Sequence, residues 1–186
     1  MKYPNGIKKE YINLKSHSNR GMNLENDLND TNAYYLNNNI AVIYKKPTPI
    51  TINKVDYKSR QDAVIKEAHF KIPSTTDYNG IYKGKYIDFE AKETKCSTSF
   101  PLNNIHKHQI EHLKKIHKHN GIGFIIVRFT KLNKTYLLYI EDLIYFLDNN
   151  NRVSIPISYF DERAYIIKEG LSPRLDYLKI LDKKGV

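Results

Sequence analysis

A chain of 186 residues is long enough for one domain with its own hydrophobic core and leaves room for a tail or an inserted arm. Its 30 Lys and Arg against 20 Asp and Glu give a net charge of +10, which puts an anionic macromolecule, nucleic acid first, among the expected partners. The single cysteine, Cys96, excludes a disulfide framework and a thiolate zinc cluster within one chain and fits a reducing, cytoplasmic setting; no signal peptide or membrane span is expected, because the N-terminus MKYPNGIKKEY is polar and the longest apolar run, Ile122 to Val127, stops at Arg128.

Residues 1–20 carry Lys2, Lys8, Lys9, Lys15 and Arg20 against Glu10 and show no apolar periodicity, so they read as a flexible basic arm before a single domain at 21–186. Met22, Leu24, Leu28, Ala33, Tyr35 and Leu36 predict a first helix, which runs into the polar tract Leu36 to Asn39. Ile40 to Tyr44, IAVIY, predicts a buried strand. Pro47 and Pro49 then break the compact pattern, and short β-branched pieces follow among Lys45, Lys46, Lys54, Lys58 and Arg60. This stretch, about 45–70, reads either as a basic protrusion leaving the core or as a solvated loop.

Farther along, Asn103 to Asn120 predicts a helix closed by Gly121, GIGFIIVRF and TYLLYI predict strands, and EDLIYFLDNN predicts another helix. One or two more helices are expected within 158–183. Strands clustered centrally, with helices before, between and after them, predict an α/β or mixed α+β fold in which helices flank a central sheet.

The chemistry concentrates in STTDYNGIYKGKYIDFEAKET, Ser74 to Thr94. If YIDFEAK is a strand, Ile87, Phe89 and Ala91 face one way while Asp88, Glu90 and Lys92 face the other. Alternation alone leaves open whether Asp88 joins a site there or points to solvent. A hairpin turning at Lys83 and Gly84 sets Asp77 opposite Glu90 and Thr75 opposite Lys92, with Gly80 as a possible bulge; a turn at Asn79 and Gly80 would instead leave the acids unrelated. The first register is preferred. Like charges so opposed destabilise a sheet unless a cation compensates them. Two carboxylates suit a hard cation such as Mg²⁺, with Lys92 placed to orient water or offset charge at a phosphate, the logic of a phosphodiesterase acting on nucleic acid.

On the helix at 103–120, Ile105, Leu113 and Ile116 form a stripe with Gln109 in its middle. A polar residue on a buried face needs a partner, either a backbone group or a metal site. The same helix holds five of the chain's seven histidines, and His108 to His112 spells the H-x-x-E-H pattern of inverzincin metalloproteases. No third distal ligand is evident, and a solvated, weakly cationic helix face is the better reading.

Asp77, then twelve residues, then Glu90-Ala91-Lys92 resembles the PD-(D/E)xK signature of restriction-endonuclease-like nucleases. The wider text is more specific: NRGMNLENDL, IAVIYKKPTPI, PSTTDYNGIYKGKYIDFEAKET, TSFPLNNIHKHQIEHL and PRLDYLK are similar, in order and spacing, to the RecU family of Holliday junction resolvases, from about Tyr3 to Leu178. The resemblance implies a restriction-endonuclease-like mixed sheet with a protruding stalk. It also implies metal-site positions at Thr75, Asp77, Glu90 and Gln109, a transition-state lysine at Lys92, and Mg²⁺ as cofactor with Mn²⁺ as substitute. Glu25 matches an additional acid of many such nucleases. Arg20 and Arg60 match basic positions associated with DNA, and Lys45 and Lys46 extend that basic surface. The family further implies a homodimer that cuts symmetrically related strands of four-way junction DNA, with recombination proteins as further partners; two-fold symmetry suits two equivalent cuts. The N-terminal arm is shorter than the family leads one to expect. A restriction- or repair-type nuclease of the same fold and a nonenzymatic junction-binding protein are the alternatives.

Overall fold

In the computed structural model the described residues are 23–57, 59, 61–71 and 75–185. The expected basic arm at 1–20, with Arg20, and Arg60 in the protrusion lie outside them. In chain order the elements are α1 (Leu24–Asn37), β1 (Val42–Lys45), β2 (Ile50–Asp56), β3 (Val64–Phe70), β4 (Tyr78–Tyr82), β5 (Lys85–Thr94) and β6 (Ser99–Pro101). A 3-10 turn at Leu102–Asn104 leads to α2 (Lys107–Lys118), then β7 (Ile122–Phe129), β8 (Lys134–Tyr139), α3 (Ile140–Asn149), β9 (Ser154–Pro156), α4 (Ile157–Arg163), β10 (Tyr165–Ile167) and α5 (Leu178–Lys183).

Six strands form the central sheet in the order β1-β4-β5-β7-β8-β10, and the mixed α+β fold expected from the sequence is what forms. Only the β5–β7 pair is parallel within it, because α2 carries the chain back across the sheet between those strands. The two faces bury different cores. On one, α1 and α5 cover Tyr78, Phe89 and Phe124, whose rings stack across three adjacent strands at 4.8 Å per step, together with Leu28, Ile126 and Tyr177. On the other, α2, α3 and α4, the last through Phe160, cover Ile125, Val127 and Leu138.

The β4–β5 hairpin has the register preferred from the sequence, with Tyr78 opposite Phe89 and Tyr82 opposite Lys85. Its turn residues Lys83 and Gly84 have φ of 47° and 75°, the left-handed pair that a two-residue hairpin loop requires. Gly80 is no bulge. It pairs regularly with Ile87 on one side and Ile43 on the other, and a Cβ there would sit 2.1 Å from the Val42 carbonyl oxygen, so glycine allows β1 its close approach.

Three other expectations are corrected. IAVIY forms an edge strand rather than a buried one: Ile43 is buried, but Val42 and Tyr44 are 41% and 54% exposed. The helix expected from Asn103 begins at Lys107, after the 3-10 turn, and the left-handed residue that ends it is Asn120 (φ 62°), ahead of Gly121. The region 158–183 contains a strand, β10, between its helices; three residues, YII, are too short to show period-two alternation.

Among the described residues β2 and β3 pair only with each other, and every residue of both is exposed. This ribbon leaves the sheet edge after β1 and is closed at its base by the Lys71 N–H donating to the Pro49 carbonyl, 2.9 Å.

Candidate active site

β5 sends Asp88, Glu90 and Lys92 toward the α2 side of the sheet, while Ile87 and Phe89 enter the aromatic core. Glu90 is fully buried. Asp77 stands one residue before β4, at the position facing Glu90 across the hairpin, and its backbone N–H donates to Glu90 Oε2 at 3.1 Å. Lys92 Nζ lies 2.6 Å from the other oxygen, Oε1. The predicted trio of Asp77, Glu90 and Lys92 is therefore gathered at one point, and Thr75 precedes Asp77 by two residues on the same segment.

The electrostatics of the trio centre on the buried Glu90 carboxyl. The Glu90 carboxyl is pushed up from 4.5 to about 7, first by burial and then by the neighbouring Asp77 charge, against the pull of Lys92. A buried carboxylate beside a second one is costly, and the Lys92 ammonium offsets only part of that cost. Oxygen donors in this setting fit a hard divalent cation. The residues present thus suit the metal that the resemblance implies.

α1 brings Glu25 to the same place. Its N-terminus is fixed twice: Asn23 Oδ1 accepts from the Asn26 N–H at 2.9 Å, and Glu93, from the end of β5, accepts from the Leu24 N–H at 2.8 Å. A cleft of about 220 Å³ results, lined by Asn23, Glu25, Asp77, Tyr78, Lys92 and Glu93. Glu25 forms an ion pair with Lys45 (2.5 Å), both at the surface. Glu93, not singled out from the sequence, is the anchor that holds this helix end against β5.

Gln109 is buried at the start of α2, as its place in the apolar stripe indicates, and its Oε1 accepts from the His106 backbone N–H at 2.9 Å in a capping box. Lys46 turns inward: its ammonium donates to Asp88 Oδ2 at 2.8 Å and to the Thr76 hydroxyl at 3.0 Å. Of the two lysines at the root of the ribbon, Lys45 is the one at the surface. His112 Nε2 lies 3.1 Å from Asp88 Oδ2, whereas His108 stacks on His106, so the two histidines of the H-x-x-E-H pattern have different partners. Sequence reading missed this Asp88 cluster. Its single local signal was the shared face of Asp88 and Glu90; the partners are far apart in the chain.

A sequence model of the RecU family, described as Recombination protein U, matches residues 19–183. The chain belongs to the RecU family. A Holliday junction resolvase RecU from Bacillus mycoides (strain KBAB4) is 53% identical over 193 residues, covering 98% of this chain and 96% of that protein. One from Bacillus thuringiensis (strain Al Hakam) is 52% identical with the same coverage. Among solved structures, Hjc from Archaeoglobus fulgidus, a Holliday junction resolvase from an archaeal hyperthermophile, is similar at a TM-score of 0.43 and 11% identity over 77% of this chain and 93% of its own. The RecU match spans every residue of the trio, the ribbon and the cleft.

Proposed function

We propose that this RecU-family chain is an endonuclease of the restriction-endonuclease-like class that resolves four-way DNA junctions in homologous recombination and DNA repair, with Mg²⁺ as its metal and Mn²⁺ as a substitute. The observation that carries the reading is the joining of Asp77 and Lys92 on the buried Glu90 carboxyl, at a cleft in a strongly basic protein. Asp77 and Glu90, with Thr75 and Gln109, are the residues that would hold the cation. When bound, the metal supplies polarisation of the scissile phosphate and a more acidic water. Lys92, held beside Glu90, offsets negative charge as the phosphate is attacked and keeps the water in line. Glu25 supplies a further acid at the cleft.

In this reading residues 21–186 form one nuclease domain, 1–20 a flexible basic arm, and the exposed ribbon within 45–70 a stalk that enters the junction. Arg20, Lys45, Lys46 and Arg60 form the basic set for DNA, Lys45 at the surface and Lys46 tied into the ribbon's root. A homodimer acting in the cytoplasm, alongside other recombination proteins, would present two such sites to the two symmetry-related strands.

The test offers labelled four-way junction, linear duplex and flap DNA to the protein with Mg²⁺ or with EDTA. Cutting of the junction in preference to duplex and flap is expected. Equal cutting of all three would favour a restriction- or repair-type nuclease, and tight junction binding without metal-dependent cutting would make the chain a binding protein.

A further inference from the structure

Asp88 is fully buried, two residues before Glu90 on the same face of β5, and both its carboxylate oxygens are engaged. Oδ2 accepts from Lys46 Nζ at 2.8 Å and from the Tyr86 hydroxyl at 2.9 Å, and lies 3.1 Å from His112 Nε2. Oδ1 accepts from the Thr76 hydroxyl. Its partners come from four different positions in the chain, so Asp88 is placed to orient other segments.

Those partners lie on the same segments as the residues of the proposed metal site. Thr76 sits between Thr75 and Asp77. Tyr86 shares β5 with Glu90. His112 follows Gln109 by three residues on α2, about one turn along the same side of the helix. Lys46 reaches the site twice, because its backbone N–H also donates to the Asp77 carbonyl at 2.7 Å, and it is the last residue before the Pro47–Pro49 link into the ribbon. A buried ion pair is weak evidence for stability, since well-packed apolar residues of the same volume do as well or better. One whose partners sit on each segment that carries a proposed ligand calls for a different explanation.

We propose that Asp88 is a positioning residue for the metal site: it locks the Thr75–Asp77 segment, β5 and the first turns of α2 into one geometry and ties the root of the ribbon to them through Lys46. This rests on the proposed reading of Asp77 and Glu90 as metal ligands. Outer partners of this kind, when removed, cost about 10- to 100-fold in metal affinity or activity.

The experiment is calorimetric titration of the DNA-free, full-length protein with Mn²⁺, comparing wild type with Asp77→Asn, Asp88→Asn, His112→Ala and the neutral pair Lys46→Met/Asp88→Asn. Thermal unfolding and junction binding in EDTA are measured on each. Asp88→Asn is expected to weaken Mn²⁺ binding about tenfold or more and to raise the Mg²⁺ needed for half-maximal cleavage by a similar factor, with junction affinity in EDTA unchanged. His112→Ala, at a half-buried position, shifts both in the same direction and decides the matter if Asp88→Asn does not fold. The neutral pair, which a purely structural role would leave near wild type, stays weakened. Mn²⁺ binding at wild-type strength in the folded Asp88 and His112 variants, with binding lost in Asp77→Asn, overturns the role of Asp88 and leaves the metal reading standing. Wild-type Mn²⁺ binding in Asp77→Asn, or none in the wild type, overturns the metal reading and this inference with it.

Discussion

The backbone N–H of Asp77 donates to the carboxylate of Glu90 across the β4–β5 hairpin, 3.1 Å, so the two acids are held together by main chain as well as by side-chain placement. That contact exists because the turn at Lys83 and Gly84 fixes which residues face each other. Glycine serves two different purposes in this hairpin. A Cβ on Gly84 would meet open space and only strain its φ of 75°, so Gly84→Ala should cost about 1 kcal/mol. A Cβ on Gly80 would collide with the Val42 carbonyl and push β1 off the sheet, for which about 3 kcal/mol is expected. Urea unfolding of the two variants measures the difference, and equal losses would contradict it.

The raised pKa of Glu90 sets a pH dependence in the metal-free protein. Because the folded state holds this proton more tightly than the unfolded chain, the resulting stability is fully present below about 4.5 and lost as pH rises through about 7. At ~1.4 kcal/mol per pH unit the loss approaches about 3 kcal/mol. In EDTA, wild type should therefore lose more stability than Glu90→Gln as pH rises across this window. Urea midpoints at several pH values check this, and a wild type that gains relative to Glu90→Gln would contradict it.

Lys92→Met should retain the fold and junction binding in EDTA while cleavage falls about 10²- to 10³-fold, the usual effect of removing one group that stabilises developing charge. Single-turnover rates at saturating protein separate this from a binding defect. A loss confined to junction affinity would place Lys92 in binding and not in chemistry.

The ribbon can be removed without touching a core, since every residue of β2 and β3 is exposed. Replacing residues 50–70 by a short turn, with Lys46 kept, should change stability by no more than about 0.5 kcal/mol. Preference for junction over duplex should fall in the same variant. Thermal unfolding and competition binding report the two separately, and unchanged preference would remove the ribbon from junction recognition.

Much of this arrangement was legible in the sequence, for reasons specific to each piece. Period-two alternation separated Phe89 from Glu90, and arithmetic about the Lys83–Gly84 turn set Asp77 opposite Glu90; both are local rules. The apolar stripe of α2 correctly buried Gln109. Edge position was not legible in IAVIY, because an apolar run reports hydrophobicity and not whether a neighbouring strand exists on both sides. The inward turn of Lys46 was not legible either. Its partner Asp88 is 42 residues away, and the two meet only because β1 and β5 flank β4 in the finished sheet.

In the proposed reading Asp77 and Glu90 form a metal-dependent cutting site for junction DNA. The most direct measurement follows binding and cleavage of one labelled four-way junction in the same samples, wild type against Asp77→Asn, with Mg²⁺ and with EDTA. Wild type should bind in both conditions and cut only with Mg²⁺, and Asp77→Asn should bind equally well, because phosphate contacts supply most of the affinity, and cut in neither. Cutting by wild type in EDTA, or Mg²⁺-dependent cutting by Asp77→Asn at the wild-type rate, would contradict the account.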